Sequence, residues 1–245
     1  TPPERIVFPA ADESWARATL ARAEGQSDYR TVKAYLPWLQ ESEYRQVAES
    51  DDPYGNPVSA LRRILVETAV YRDLSLEWIR RERPDLAIVY FQGTDSIGHV
   101  FAPYVPPRQA EVALGDFERY HDVPEQYFRS FDAVIGEYAR AADESGAVLM
   151  MASDHGFLWG DGRPTTLSSV ATSTAAKWHA PEGIFLLHGP GVPATPGHES
   201  SGSVEQVAAT LLALLGLPPG LDVNGEPLAG VPPTVGFYAK LAVLQ

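Results

Sequence analysis

Residues 147–157 read AVLMMASDHGF, an apolar run from Ala147 to Ala152 that stops at Ser-Asp-His-Gly. An unbroken apolar run of this length predicts a strand buried on both faces, which requires covering layers on either side of its sheet. Such a strand has no reason to finish in a carboxylate and an imidazole unless the pair is solvated or used. The stretch therefore points to a layered fold and marks Asp154 and His155 as residues to explain.

The same pattern recurs upstream. Residues 59–83 carry Leu61, Ile64, Leu65, Ala69, Tyr71, Leu74 and Trp78 at near-helical spacing, and Pro84 stops the run. Asp85–Phe91 follows as an apolar strand and ends in QGTDSIGH, residues 92–99. Helices are also expected over 15–24, 38–48 and 124–144. Gly183–Leu187 reads as a third short strand. Residues 202–218 read as a helix with a serine near its start, stopped by Gly216 and Pro218, and 237–244 as a closing short helix. Strands alternating with helices predict an α/β fold with a mostly parallel central sheet. Ligands in such folds bind beyond the carboxyl ends of strands, where both polar clusters lie.

Composition narrows the chemistry. A net charge of −13 argues against nucleic acid as the main partner, because a phosphate backbone wants a basic surface. It leaves room for a small phosphate-bearing substrate, since bound cations reverse the local field. With no cysteine in the chain, any metal must sit on His, Asp and Glu. No apolar run approaches the roughly 18 residues of a membrane span. The first residues, TPPERIVFPAADES, lack the basic start and apolar core of a signal peptide. They open on Thr rather than Met, which raises the expectation of a chain cut at its front and leaves the compartment open.

Asp95 and His99 stand four apart, so a helical turn places carboxylate and imidazole on one face, close enough to share a metal. The plainer alternative is a solvated loop with a capping Asp. Asp154 and His155 are sequence neighbours, which point to opposite faces of a strand and address one ion only where the strand has ended. Gly156 permits close approach there; the plainer alternative is an N-capping Asp beside a partly buried His. Together the clusters offer oxygen and nitrogen donors without sulfur, a set suited to zinc or manganese. A two-metal site needs more ligands. His179, in KWHAPEGIFLL, is the better candidate and His198, in TPGHESSG, the weaker; His121 and His188 read as surface or core histidines. Arg163, in GDGRP, is a candidate contact to a substrate phosphate, and Tyr104 and Trp159 are candidates for the mouth of a pocket.

Four segments in register carry a resemblance. YFQGTDSIGH resembles the strand and Asp-x-x-x-His, and ASDHGF the Ser-Asp-His-Gly motif, of the type I phosphodiesterase/nucleotide pyrophosphatase branch of the alkaline phosphatase superfamily. WHAPEGIFLLHGPGV resembles the family's His before a strand ending in Gly-Pro-Gly. SVEQVAATLLALLGLPPGLDVNGEPL resembles its closing helix and Asn-Gly tail. The resemblance runs from Asp85 to Leu228. It implies an alkaline-phosphatase-like three-layer sandwich with helices on both faces of the sheet. Residues 1–245 would form a single domain, with 1–84 a mainly helical lead-in and 85–228 the core bearing the metal site.

The resemblance further implies two divalent ions, zinc first and manganese second. Asp95, His99 and His179 would hold one, and Asp154 and His155 the other. The reaction implied is hydrolysis of small phosphodiesters or phosphomonoesters, in which two cations offset the charge of the phosphoryl group. The family's first strand, a further metal-binding Asp and its Thr or Ser nucleophile have no counterpart found between Thr1 and Pro84. Thr31 has no strand before it, and Thr94 lies inside a metal motif. No catalytic nucleophile is therefore assigned, and it is expected upstream of this chain. The competing reading is a non-catalytic metal-binding or partner-binding remnant of the same fold. Sulfate-ester chemistry is disfavoured by the lack of Cys.

Overall fold

The computed structural model describes residues 6–48, 50–166, 168, 174–193, 201–228 and 241–244, the last by their backbone. Helices α1 (Glu13–Gln26), α2 (Tyr29–Tyr35), α3 (Glu41–Val47) and α4 (Pro57–Glu82) come first. Strand β1 (Leu86–Val89) leads into α5 (Gly93–Phe101), α6 (Leu114–Tyr120) and α7 (Val123–Ser145). Strands β2 (Val148–Ala152), β3 (Gly156–Phe157), β4 (His179–Ala180) and β5 (Phe185–His188) precede α8 (Glu205–Leu214) and β6 (Leu241–Leu244). The content is mixed α/β, as the alternation predicts. No helix among the described residues is long and apolar enough to cross a membrane.

The chain divides into two compact units. The first comprises Thr1–Ser75, Phe91–Phe131 and Phe157–His179. Its core is helical, with Val32, Leu36, Leu39, Leu61 and Ile64 fully buried. Helix α2, which periodicity does not reveal, is started by Asp28, whose carboxylate accepts from the Thr31 N–H at 3.0 Å. The ring of Tyr120 packs between those of Trp38 and Phe101, with centroids 5.7 and 5.9 Å away. The half-buried Trp38 donates its indole N–H to the Arg119 carbonyl at 2.9 Å, so its ring donor is satisfied.

Helix α5 starts against a buried tyrosine. The Thr68 hydroxyl donates to the Ile64 carbonyl at 2.8 Å. The Tyr127 hydroxyl, 2.9 Å from Thr68 Oγ1, is therefore the donor in that pair. Burial pushes the Tyr127 phenol well above its usual range, so it keeps this proton. Gly93 opens α5 at this point because nothing larger fits: a methyl group on it would lie 2.0 Å from Tyr127 Oη.

The second unit comprises Leu76–Tyr90, Asp132–Gly156 and Ala180–Gln245. It holds a four-stranded sheet in the order β1-β6-β2-β5. Strand β6 pairs parallel with β1 and with β2, while β5 pairs antiparallel with β2. Val148 and Met150 pack with Leu214 and Leu228, flanked by Leu86, Phe185, Leu187 and Leu211. Helix α8 starts with the Glu205 N–H donating to Ser203 Oγ at 3.3 Å and is followed by Gly216 at φ +68°.

Two sequence expectations are corrected here. Residues 241–244 form a strand and not the end of a helix, because their backbone pairs on both sides with β1 and β2; residues 237–240 lie outside the described residues. Burial on both faces, expected along Ala147–Ala152, holds through Met150, while Met151 and Ala152 are only partly buried; in β1 and β5, Ile88 is 65% and Leu186 42% exposed. Helix α4 ends at Glu82 as Pro84 predicts, with Arg83 at φ 48° breaking the helix.

The packing at Gly93 gives a direct test. Gly93→Ala is expected to destabilise the protein by about 1–3 kcal/mol, read from the urea midpoint, because Tyr127 must be displaced. An unchanged midpoint would mean that Tyr127 moves aside freely.

Candidate metal centre

Helix α5 supplies the first two donors. Asp95 lies in its first turn and His99 in its last, and the helical rise brings Asp95 Oδ1 to 3.2 Å from His99 Nε2. His179, the first residue of β4, approaches from the other side. Its Nε2 lies 3.5 Å from Asp95 Oδ1 and 3.0 Å from His99 Nε2. These are the three residues assigned to one ion from sequence. Among the described residues, they are the one group of three or more His, Asp or Glu side chains with mutually close ligand atoms.

The spacing suits a cation. Zinc bound tetrahedrally at about 2.0–2.1 Å holds adjacent ligand atoms roughly 3.3 Å apart. The three separations here are 3.0, 3.2 and 3.5 Å. Two imidazoles and one carboxylate also match the protein ligands of catalytic zinc sites, which keep a further position open. The donor set therefore fits a divalent ion.

Residues that sequence reasoning missed hold these ligands in place. Gln92 donates through Nε2 to Asp95 Oδ2 at 2.8 Å, leaving Oδ1 turned toward the two imidazoles. The i,i+3 spacing of Gln92 and Asp95 in QGTDSIGH was a signal that could have revealed this pair. Ser168 Oγ lies 2.6 Å from His99 Nδ1, the ring nitrogen facing away from the cluster. No sequence pattern marked Ser168. Phe157 covers the cluster with ring centroids 5.1 Å from His99 and 5.8 Å from His179. Gly98 makes room for it, since a methyl group there would lie 2.6 Å from the Phe157 ring.

Asp154 and His155 follow β2, as expected from sequence. The His155 Nδ1 lies 2.8 Å from the Gly156 carbonyl, which only accepts, so Nδ1 carries the proton and Nε2 is the ring atom suited to a metal. That Nε2 lies 3.8 Å from Asp154 Oδ1. Gly156 approaches backbone closely, and a methyl group there would lie 2.1 Å from the Glu182 carbonyl oxygen.

Arg163 has a different occupation from the substrate contact expected of it. It is 4% exposed, and its guanidinium donates to the carbonyls of Gly160 at 2.6 Å, Ala102 at 2.6 Å, Val105 at 2.7 Å and Pro107. Burial lowers its pKa below the usual arginine value. With its donors spent on backbone, it fixes loops. Tyr104 packs against Phe101 and Tyr120, while Trp159 is 38% exposed beside Phe157 and Phe128. His121 bonds Asp122 and His188 bonds Asp143 at the surface. Thr31 donates to the Gln26 carbonyl. His198 lies outside the described residues.

Comparison with known proteins agrees with this geometry. A family model described as Type I phosphodiesterase / nucleotide pyrophosphatase matches residues 5–226, beginning well ahead of the motifs that start at Asp85. No curated protein and no solved structure matches the chain significantly.

The centre makes a comparative prediction. His179→Ala is expected to weaken zinc binding roughly 100-fold or more, beyond the usual loss of an outer-shell contact. His198→Ala should leave it near the parent value. Isothermal titration with zinc compares the two; the reverse order would show that the wrong histidine was chosen.

Proposed function

Because the chain belongs to the type I phosphodiesterase/nucleotide pyrophosphatase family, within the alkaline phosphatase superfamily, we propose that it is a metal-dependent hydrolase of small phosphodiesters or phosphomonoesters. The observation that carries this reading is the convergence of Asp95, His99 and His179 on one point. The proposal assigns one divalent ion to that triad and a second to Asp154 and His155, zinc first and manganese second. Bound ions would act as Lewis acids and offset the charge of the phosphoryl group.

The protein's own residues prepare for that chemistry. Asp95 brings the negative charge that a cation needs, and Gln92 keeps its second oxygen occupied. His99 and His179 add neutral nitrogen donors, so the site stays cationic overall when filled and attracts an anionic ester. Phe157 keeps water from one side of the imidazoles, which strengthens electrostatic interactions there. The reading includes the three-layer sandwich with a mostly parallel sheet, a single domain with its core in 85–228, and a Thr or Ser nucleophile supplied from upstream sequence. Arg163 has no place at the substrate in this proposal.

Asp154→Asn in the full-length gene product is expected to abolish zinc-dependent release of p-nitrophenol from bis(p-nitrophenyl) phosphate. Activity close to the parent's would remove Asp154 from the second site. Zinc binding by the parent without any hydrolysis, across diesters and monoesters, would favour the non-catalytic remnant.

A further inference from the structure

We propose that the second unit carries a binding site for a small aliphatic carboxylate, in a cavity of about 400 Å³ at the end of β2 opposite to Asp154 and His155. The site needs no metal and does not depend on the hydrolase reading. Strands β1 and β2 both run parallel to β6, so they point the same way. Asp154 and His155 follow the last residue of β2, whereas the cavity is lined by Ala147, which precedes the first. The space exists because two helices end beside it. Arg83 at φ 48° and Pro84 stop α4, and Gly146 at φ +68° turns the chain from α7 into β2. Ala87, Ala142 and Ala147 are buried and form the floor. Side chains that stop at Cβ leave room that longer ones would fill.

The rim and walls define the ligand. The charged residues that line the cavity are Arg80, Arg83 and Glu144, all exposed. Other arginines of this acidic chain are occupied, as in Arg63–Glu67 and Arg72–Asp73. The guanidiniums of Arg80 and Arg83 have no partner among the described residues. Arg80 lies in the last turn of α4, where it also complements the helix dipole, but Arg83 lies past the end of the helix. Ser145 spends its hydroxyl hydrogen on the Ala141 carbonyl at 2.7 Å, so the rim's side-chain donors are the guanidiniums. Two cations against one carboxylate leave a single positive charge, which a monoanion balances and a phosphate dianion exceeds. A carboxylate also matches the guanidinium fork. The walls are Ile79, Pro84 and Ala141. Tyr138 lines the cavity too, but at 1% exposure it offers almost no ring face, so the lining suits an aliphatic chain over an aromatic one. The volume lies near the lower end of small-molecule sites, which run from about 300 to 1,000 Å³.

The test is isothermal titration of the whole chain with octanoate, octanamide, acetate and octyl phosphate. EDTA is present throughout, so that no bound cation offers the carboxylate another partner. Octanoate should saturate one site. Octanamide, which keeps the chain and loses the charge, should bind roughly tenfold or more weakly. Acetate, which keeps the charge and loses the chain, should give no measurable binding, and octyl phosphate should bind no more tightly than octanoate. The double variant Arg80→Gln/Arg83→Gln, confined to exposed side chains, should lower octanoate to the level of octanamide with an unchanged melting temperature. Ala141→Leu, which fills the cavity from its partly exposed wall, should weaken octanoate and octanamide alike. Absence of saturable octanoate binding, or equal binding of octanamide, overturns the proposal. Parent-like octanoate affinity in both variants places the binding elsewhere and overturns it as well. Tighter binding of octyl phosphate overturns the assignment to a carboxylate.

Discussion

Two imidazole nitrogens and a carboxylate oxygen within 3.5 Å of one another are a constraint before they are a site. Lone pairs at that distance repel unless a proton or a cation lies between them. Everything arranged around the triad can be understood as enforcing that proximity. Helix α5 fixes the spacing of Asp95 and His99, and Gly93 lets the helix begin hard against Tyr127. Gly98 admits Phe157 against the imidazoles, and Gln92 and Ser168 hold the atoms on the outer side.

Much of this was legible in the sequence, for identifiable reasons. Helix α4 announced itself through Leu61, Ile64 and Leu65 and ended where Pro84 required. The triad followed from one-turn spacing together with motif order. Failures arose where the deciding interaction was non-local. Residues 241–244, LAVL, are too short for periodicity to separate helix from strand, and pairing with β1 and β2 decides the matter. Ser168 has no neighbours that mark it, because its role depends on His99, distant in the chain. Helix α2 is short, and the Asp28 carboxylate that starts it is seen only in the fold.

Arg163 was misread for a more instructive reason. An arginine after a metal motif suggests a phosphate, yet the loop at 102–107 has a stronger claim. Pro103, Pro106 and Pro107 bring no N–H, so that stretch is short of donors while its carbonyls remain. A guanidinium with five N–H groups in a fixed fork supplies what is missing. The need was written in the loop, not around the arginine.

That arrangement has a consequence for how the molecule responds to ionic strength. The pairs Arg45–Glu41 and Arg129–Glu125 are open to solvent, and dissolved ions screen such attractions over about 10 Å at 0.1 M. Arg163 is buried, and its partners are neutral dipoles with no counter-ion atmosphere to exchange. Salt that weakens the surface pairs should leave this contact almost untouched. The framework around the triad is in that sense insulated from the electrolyte, even though the anionic substrates proposed for it would feel the screening on approach.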